Sequence, residues 1–242
     1  MLDDIRGAFY ITKKDLKEYY FKPPTISWGI AFPFVFALAF LLRGWDKLWL
    51  APGLLTLSLF FGSTSMSAAS IVFERRTESF ERLLLFPISY LGVALGKSLS
   101  SFFFGLLSST ATVAIIQIFL LITPHNLTLL ALCILGSALQ FSSMGVLLSF
   151  AVKDPAQAMT IFNSVRFPMI FLCNVIIPIS KLPQYLTPIS LAIPLTYSAE
   201  AIRYALVGNY DILPPQLSIP LTFISFFVFL YLAEVLIKKS IP

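Results

Sequence analysis

The most telling deficit of this sequence is charge. Asp, Glu, Lys and Arg make up 12% of its 242 residues, whereas a soluble domain carries about 25%, because its surface must face water. The side chains that would cover such a surface are missing, which argues against a soluble globular fold. With 57% hydrophobic residues, the chain has more apolar side chains than one water-soluble core would bury.

Residues that carry out chemistry are also scarce. The single histidine, His125, lies in a turn-like segment, and neither a Gly-x-Ser-x-Gly nor a His-Glu-x-x-His pattern occurs. Both facts argue against intramembrane hydrolysis. The two cysteines, Cys133 and Cys173, lie in apolar runs and indicate packing rather than a disulfide framework. We therefore expect no catalytic residue, no cofactor and no metal site on this chain.

A nucleotide-binding loop is missing as well. Gly96-Lys97-Ser98 resembles the end of a P-loop, but the full motif requires a glycine five residues before Gly96, and that position is Leu91. We expect that the chain is not an enzyme, and that another polypeptide hydrolyses any ATP that drives it.

Long apolar runs are what the sequence has in abundance. A membrane-spanning helix needs about 20 apolar residues, and the uncharged run 98–152 is too long for one helix. A turn at residues 123–126 divides that run. The fold class is therefore all-α, an integral membrane protein with six transmembrane helices in a domain at 25–242. The predicted spans lie near residues 25–42, 48–73, 98–122, 127–152, 158–179 and 219–237, the fourth being closed by Lys153-Asp154-Pro155.

The basic residues predict the orientation of these spans. With the N-terminus inside, twelve of the 17 Lys and Arg residues lie in cytoplasmic segments and four lie outside. Cytoplasmic loops carry such an excess, so we expect a multi-pass plasma-membrane protein with both termini in the cytoplasm. The net charge of +5 then reflects this bias and attraction to membrane lipid, and no nucleic-acid partner is expected.

Residues 1–24 form a separate N-terminal unit. Ile5, Phe9, Thr12 and Leu16 recur at helical spacing among charges of both signs, which predicts an amphipathic helix on the inner membrane surface. Such a helix either orients the first span or docks a partner, and the sequence leaves both open. The unit has no apolar core, so we expect no cleaved signal peptide.

The loop between the second and third spans has a distinctive pattern. Residues 74–82 carry six charges, and apolar residues follow. The pattern predicts a short cytoplasmic helix that inserts into a protein cleft. The alternative is a charged loop that only enforces topology, although a simple turn between helices is shorter. The candidate contact residues are Glu74, Arg75, Arg76, Glu78, Phe80, Glu81 and Arg82.

Arg166 is the one charged residue in the interior of a predicted span, since Glu234 lies near the inner end of the sixth. A charge at this depth is costly and usually faces protein or water. It therefore marks either a pathway that meets an anionic head group or substrate, or an arginine that snorkels to the inner leaflet or pairs within the bundle. Asn163, a possible partner, and Asn174 complete the candidate pathway residues.

The apolar stretch 182–198 is a different case. Pro183, Pro188 and Pro194 interrupt it, and proline breaks a continuous helix. Short re-entrant helices that dip into the outer interface fit this stretch better than a seventh span.

Two of these segments resemble a known family. The motif Glu-Arg-Arg-Thr-Glu at 74–78, Leu-Leu-Leu-Phe-Pro-Ile-Ser at 83–89 and Gly96-Lys97 are similar to the signature of type-2 ABC exporter permeases, with Arg76 where glycine is common. The second segment resembles that family's outer re-entrant region, through Pro188, Pro194, Tyr197, Glu200 and Arg203 and the adjoining Gly208.

The resemblance implies a half-transporter. Two membrane subunits, usually identical, pair around a pathway, and each docks a separate ATPase subunit that binds ATP and magnesium. The helix in the loop at 74–86 is then the coupling helix, inserted into the ATPase. The expected function is that of the permease subunit of an ATP-driven exporter.

Two alternatives from other classes remain. An ion- or proton-coupled secondary transporter commonly needs a carboxylate at membrane depth and an internal repeat, and neither is visible. A non-transporting membrane scaffold would use the loop helix only to recruit a partner.

Overall fold

The computed structural model describes residues 2–21, 23–44, 46–152 and 157–239. These residues form helices joined by short turns, and no strand occurs among them. The all-α prediction is therefore confirmed for the described chain. Lys153-Asp154-Pro155, predicted to close the fourth span, lies outside the described residues.

Eleven α-helices are present in the described ranges. They are α1 (Leu2–Tyr19), α2 (Pro23–Ile26), α3 (Phe32–Leu42), α4 (Lys47–Arg76), α5 (Ser79–Leu84), α6 (Tyr90–Ile115), α7 (Leu127–Ala151), α8 (Ala158–Leu172), α9 (Thr187–Ala192), α10 (Pro194–Val207) and α11 (Pro215–Lys239). A π-helical turn, Ser27–Ala31, joins α2 to α3, another, Ile116–Leu120, extends α6, and a 3₁₀ turn covers Ile179–Lys181.

Four of these elements are long and apolar enough to cross a membrane: α4, α6 with its π-helical extension, α7 and α11. The first predicted span is divided among α2, the π-helical turn and α3. The fifth corresponds to α8, which has 15 residues. A multi-pass membrane protein is thus supported, while the count of six spans stays a prediction.

The helix α4 lies at the centre and packs against α6, α7 and α10. Small residues permit this enclosure, because they let helix backbones approach closely in lipid. A methyl group added at Gly105 of α6 would lie 2.0 Å from Ser63 Oγ of α4. Ser58 of α4 and Ser108 of α6 also share a hydrogen bond of 2.7 Å. Ser58 and Ser63 of the second predicted span therefore lie where α4 packs closely against α6.

Three helices begin or end at other residues than the predicted spans do, namely those of the third, fifth and sixth spans. The third begins at Tyr90 rather than near 98, because Ser89 caps α6 by accepting a hydrogen bond from Gly92 N and Lys97 lies inside the helix. The fifth ends at Leu172 rather than near 179, since Asn174 adopts the left-handed backbone at φ 60°. The sixth begins at Pro215, four residues before the apolar run.

Different helices pack over the two ends of the bundle. At one end, α1 lies along α6, and Thr12 Oγ1 donates a hydrogen bond of 3.1 Å to Gly96 O. The approach requires glycine, because a methyl group at Gly96 would lie 2.9 Å from Ile11 Cβ. At the other end, α10 covers the start of α4, and α9 packs against α10. We call these the α1 end and the α10 end.

Candidate functional site

Four charged side chains meet at the α1 end, where α1 packs against α4 and α6. Lys97 of α6 places Nζ 3.0 Å from Asp15 Oδ2 and 2.6 Å from Glu74 Oε2. Lys14, beside Asp15 on α1, donates a hydrogen bond to the other oxygen of Glu74. We call Lys14, Asp15, Glu74 and Lys97 the four-charge cluster. It joins three helices through charges that are almost wholly buried, except for Lys14.

Balanced charge explains why this cluster tolerates burial. Two carboxylates face two ammonium groups, so each buried charge has an opposite partner. Burial raises the pKa of Asp15, and the charge of Lys97 opposes that rise. Burial by itself would lower the pKa of Lys14, but the hydrogen bond with Glu74 raises it. The cluster therefore depends on all of its members.

The sequence identified Glu74 but not its partners. It assigned Glu74 to a surface that contacts another protein, whereas the structure pairs the Glu74 carboxylate with Lys14 and Lys97 of its own chain. Lys97 was compared with a P-loop and with the Gly-Lys step of the family signature, and it was given no partner within the chain. A lysine within an apolar helix was the available signal, because such a charge needs a partner. Its partner Asp15 is 82 positions away, and the sequence does not show that pairing.

Two predicted contact residues hold the segment between α4 and α6 on the bundle. Arg75 Nη1 donates hydrogen bonds to Ser149 O at 2.9 Å and Val152 O at 2.8 Å, at the end of α7. Phe80 of α5 is buried, with its ring centroid 5.1 Å from that of Phe150. The apolar face predicted to enter a partner therefore packs in part against its own chain.

The other predicted residues of this segment point outward. Arg76, Glu78, Glu81 and Arg82 are exposed. Directly after α5, Leu85 is 85% exposed and Phe86 is 61% exposed, and both lie in the loop at 74–86 that the resemblance assigns to the coupling helix. We call this set the exposed loop surface: Arg76, Glu78, Glu81, Arg82, Leu85 and Phe86.

Arg166 of α8 is enclosed by protein, with 1% of its side chain exposed. Its guanidinium carbon lies 5.2 Å from the ring centroid of Phe61 and 4.8 Å from that of Phe162. Nη1 lies 3.4 Å from Ser65 Oγ. Nε and Nη2 have no hydrogen-bond partner in the part of the chain that the structure describes. Arg166 therefore does not snorkel to an interface.

Neither predicted companion of Arg166 forms a hydrogen bond with its guanidinium in the described residues. Asn163 is half-buried, and the polar contact of Arg166 is Ser65 rather than Asn163. Asn174 lies just beyond α8 in the left-handed conformation, a common helix end for asparagine. Its backbone oxygen accepts a hydrogen bond of 2.9 Å from Arg203 Nη2. Asn174 thus ties the end of α8 to α10.

The predicted outer residues Glu200 and Arg203 form a polar clamp at the α10 end. The Glu200 carboxylate accepts hydrogen bonds from Asp211 N at 2.9 Å and Ile212 N at 3.0 Å. Arg203 stacks its guanidinium carbon 3.4 Å from the ring centroid of Trp49 at the start of α4. We call Glu200 and Arg203 the outer clamp. It fixes the chain between α10 and α11 and joins α10 to α4.

The remaining outer residues shape the two short helices. Pro188 lies in the first turn of α9 and Pro194 is the first residue of α10, positions where proline replaces no helical hydrogen bond. Tyr197 Oη donates a hydrogen bond of 2.7 Å to Leu191 O, which holds α9 against α10. Both prolines thus stand at the starts of short helices.

A family model described as ABC-2 type transporter matches residues 7–207. The match runs from α1 to the end of α10, so it includes the four-charge cluster, the exposed loop surface, Arg166 and the outer clamp. A search of curated proteins gave no match.

Proposed function

The chain belongs to the ABC-2 type transporter family, and we propose that it is the permease subunit of an ATP-driven exporter. Two copies form the translocation pathway, and each works with a separate ATPase subunit that binds ATP and magnesium. The observation that carries this proposal is the family match over residues 7–207.

The proposed topology has six spans in the plasma membrane and both termini in the cytoplasm. Two crossings beyond the four long helices are assigned to the segment 23–42 and to α8. The α1 end is then cytoplasmic, which agrees with the excess of Lys and Arg in the segments that lie there. α1 is the interfacial helix, since Ile5 and Phe9 are exposed at the edge of a groove that they share with Leu95 and Phe103 of α6 and suit contact with lipid.

The exposed loop surface is the proposed docking site for the ATPase. Its outward charges and the apolar pair Leu85 and Phe86 lie beyond the bundle, while Arg75 and Phe80 fasten the same segment to α7. A push on this surface is therefore delivered to the helices. ATP drives such a machine because it binds the closed ATPase dimer more tightly than the open one.

The test is purification of the chain from its native membrane in mild detergent, with the co-purifying proteins and ATPase activity recorded. We expect a stoichiometric P-loop ATPase. Glu81→Lys on the exposed loop surface should release it, and adding Glu78→Lys should strengthen the loss. Glu18→Lys is the matched control, because it reverses the charge of an exposed glutamate on α1.

Two results would overturn the proposal. One is a pure membrane protein that transports without any ATPase partner, which favours a secondary transporter. The other is a captured partner without transport in vesicles, which favours a scaffold. If Glu81→Lys and Glu18→Lys behave alike, the loop is not the coupling element.

A further inference from the structure

The guanidinium of Arg166 is buried, and no carboxylate of the described residues compensates its charge. Within the described residues, the carboxylates with buried side chains are engaged elsewhere: Asp15 and Glu74 in the four-charge cluster, and Glu200 with backbone N–H groups. The faces of Phe61 and Phe162 attract a cation. This attraction does not replace the hydration that a buried ion loses. The free energy of the lost hydration is several times larger than that of a cation–π contact.

The geometry of the guanidinium leaves a particular edge open. Nη1 faces Ser65, whereas Nε and Nη2, which point in the same direction, find no partner in the described chain. These two N–H groups form the two-donor edge with which arginine binds a carboxylate or phosphate through parallel hydrogen bonds. The edge lies beside two phenyl rings, so an apolar wall is next to the anion-binding donors.

The helix that carries Arg166 is suited to move. One face of α8 is buried, while Ile161, Phe167 and Phe171 on other faces are exposed. The helix packs chiefly on α4, and its far end is held through Asn174 and the outer clamp. Pro168 removes one helical hydrogen bond just beyond Arg166. Separation of α8 from α4 would therefore uncover the guanidinium without dismantling the rest of the bundle.

We propose that Arg166 binds the anionic group of an amphiphile, a carboxylate, phosphate or sulfate carried on a hydrocarbon tail. The Nε and Nη2 edge holds the anion, and the tail lies along the phenyl rings and the surface that α8 vacates. This inference deepens the proposed function, because it places an anionic amphiphile at the transport pathway. The anion belongs either to a membrane lipid or to the cargo.

The first experiment measures ligand binding to the chain alone in a neutral maltoside detergent, by thermal unfolding. Dodecyl phosphate should raise the unfolding midpoint by several degrees, whereas dodecyltrimethylammonium and inorganic phosphate should not. Arg166→Met should abolish the shift. Arg166→Lys should bind about 10- to 100-fold more weakly, because lysine offers no two-donor edge. Arg43→Met, which removes an exposed arginine, is the matched control and should bind normally.

The same measurement separates a ligand site from a structural arginine. Without ligand, Arg166→Met should unfold at a higher temperature than the unmodified chain, because it removes an uncompensated buried charge. A lower midpoint, together with equal dodecyl phosphate binding by the unmodified chain and Arg166→Lys, would overturn the proposal. An equal shift with inorganic phosphate alone would overturn the requirement for a hydrocarbon tail.

Nanodiscs distinguish the two sources of the anion. If phosphatidylglycerol discs, but not phosphatidylcholine discs, abolish the dodecyl phosphate shift, the occupant is a lipid head group. If both kinds of disc leave the shift intact, the site takes a cargo anion. Neither readout involves an ATPase, so binding at Arg166 stands or falls separately from the proposed function.

Discussion

The two ends of the bundle are closed by buried polar groups of opposite design. In the four-charge cluster, side chains from three helices pair with one another, and Asp15 reaches Lys97 across 82 positions of sequence. In the outer clamp, the Glu200 carboxylate accepts hydrogen bonds from backbone N–H groups only 11 to 13 positions further along the chain. The polar groups at the α1 end connect helices that are distant in sequence. Those at the α10 end hold a loop that is close in sequence to Glu200.

This difference has an energetic meaning. Each member of the cluster is the counter-charge of another member, so removing one strands its partner in a dry site. Backbone N–H groups carry only partial charge, and those at Asp211 and Ile212 lie close to the surface. Losing the carboxylate there leaves neutral donors that water can reach. Removal of one charged side chain should therefore destabilise the α1 end strongly. Loss of the Glu200 carboxylate should destabilise the α10 end less.

The largest expected effect is at the cluster. Lys97→Met strands two buried carboxylates and should lower the free energy of unfolding by about 3–5 kcal/mol, measured by denaturation in detergent. Lys97→Met with Asp15→Asn leaves Glu74 facing Lys14 and should be more stable than Lys97→Met alone. Strictly additive losses would contradict the view of the cluster as a balanced unit.

A smaller effect is expected at the outer clamp. Glu200→Gln keeps one acceptor oxygen but loses the charge, and hydrogen bonds to charged groups contribute about 1.5–3 kcal/mol. Hydrogen exchange should accelerate at the amides of Asp211 and Ile212 and stay unchanged in α6. Unchanged protection at these two amides would show that Glu200 does not brace the loop.

The smallest effect sharpens the contrast within the α1 end itself. Asp4 Oδ1 accepts a hydrogen bond of 2.9 Å from Ser89 N, and this bond lowers the pKa of Asp4 from 3.8. A lowered pKa means that the contribution is present at neutral pH and disappears as the pH falls through the lowered value. The midpoints of Asp4→Asn and the unmodified chain should differ slightly at pH 7 and converge in acid. A difference that persists in acid would refute the charge-based contact.

Hydropathy located the helices well, because lipid-facing segments must be apolar over a fixed length. It failed where an apolar run outlasts its helix. The run continues to Ile179, yet the backbone turns at Asn174, and the change of direction leaves no trace in hydropathy. At Lys97 the difference is the opposite one. The predicted span begins after this lysine, whereas the helix that contains it begins earlier, at Tyr90.

The sequence predicted which segment carries the candidate site, but not which of its side chains face inward. Charges followed by apolar residues identified the segment after α4, and four of the predicted residues there are exposed. The inward turn of Glu74 and Phe80 depends on partners on α1, α6 and α7, which one sequence cannot bring together. For Arg166 the sequence predicted an uncommon environment, but it did not predict which nitrogens find a partner.

The helix α4 has a mechanical consequence. It runs for 30 residues, about 45 Å at 1.5 Å per residue, with Glu74 near one end and Trp49 near the other. Because α4 is enclosed on all sides, it has little room to bend. A rotation imposed at Glu74 should therefore be transmitted along the helix to Trp49. Pro52, near the Trp49 end, is its one interruption in backbone hydrogen bonding by proline. Any bending along this helix is therefore expected beside the outer clamp, far from the exposed loop surface.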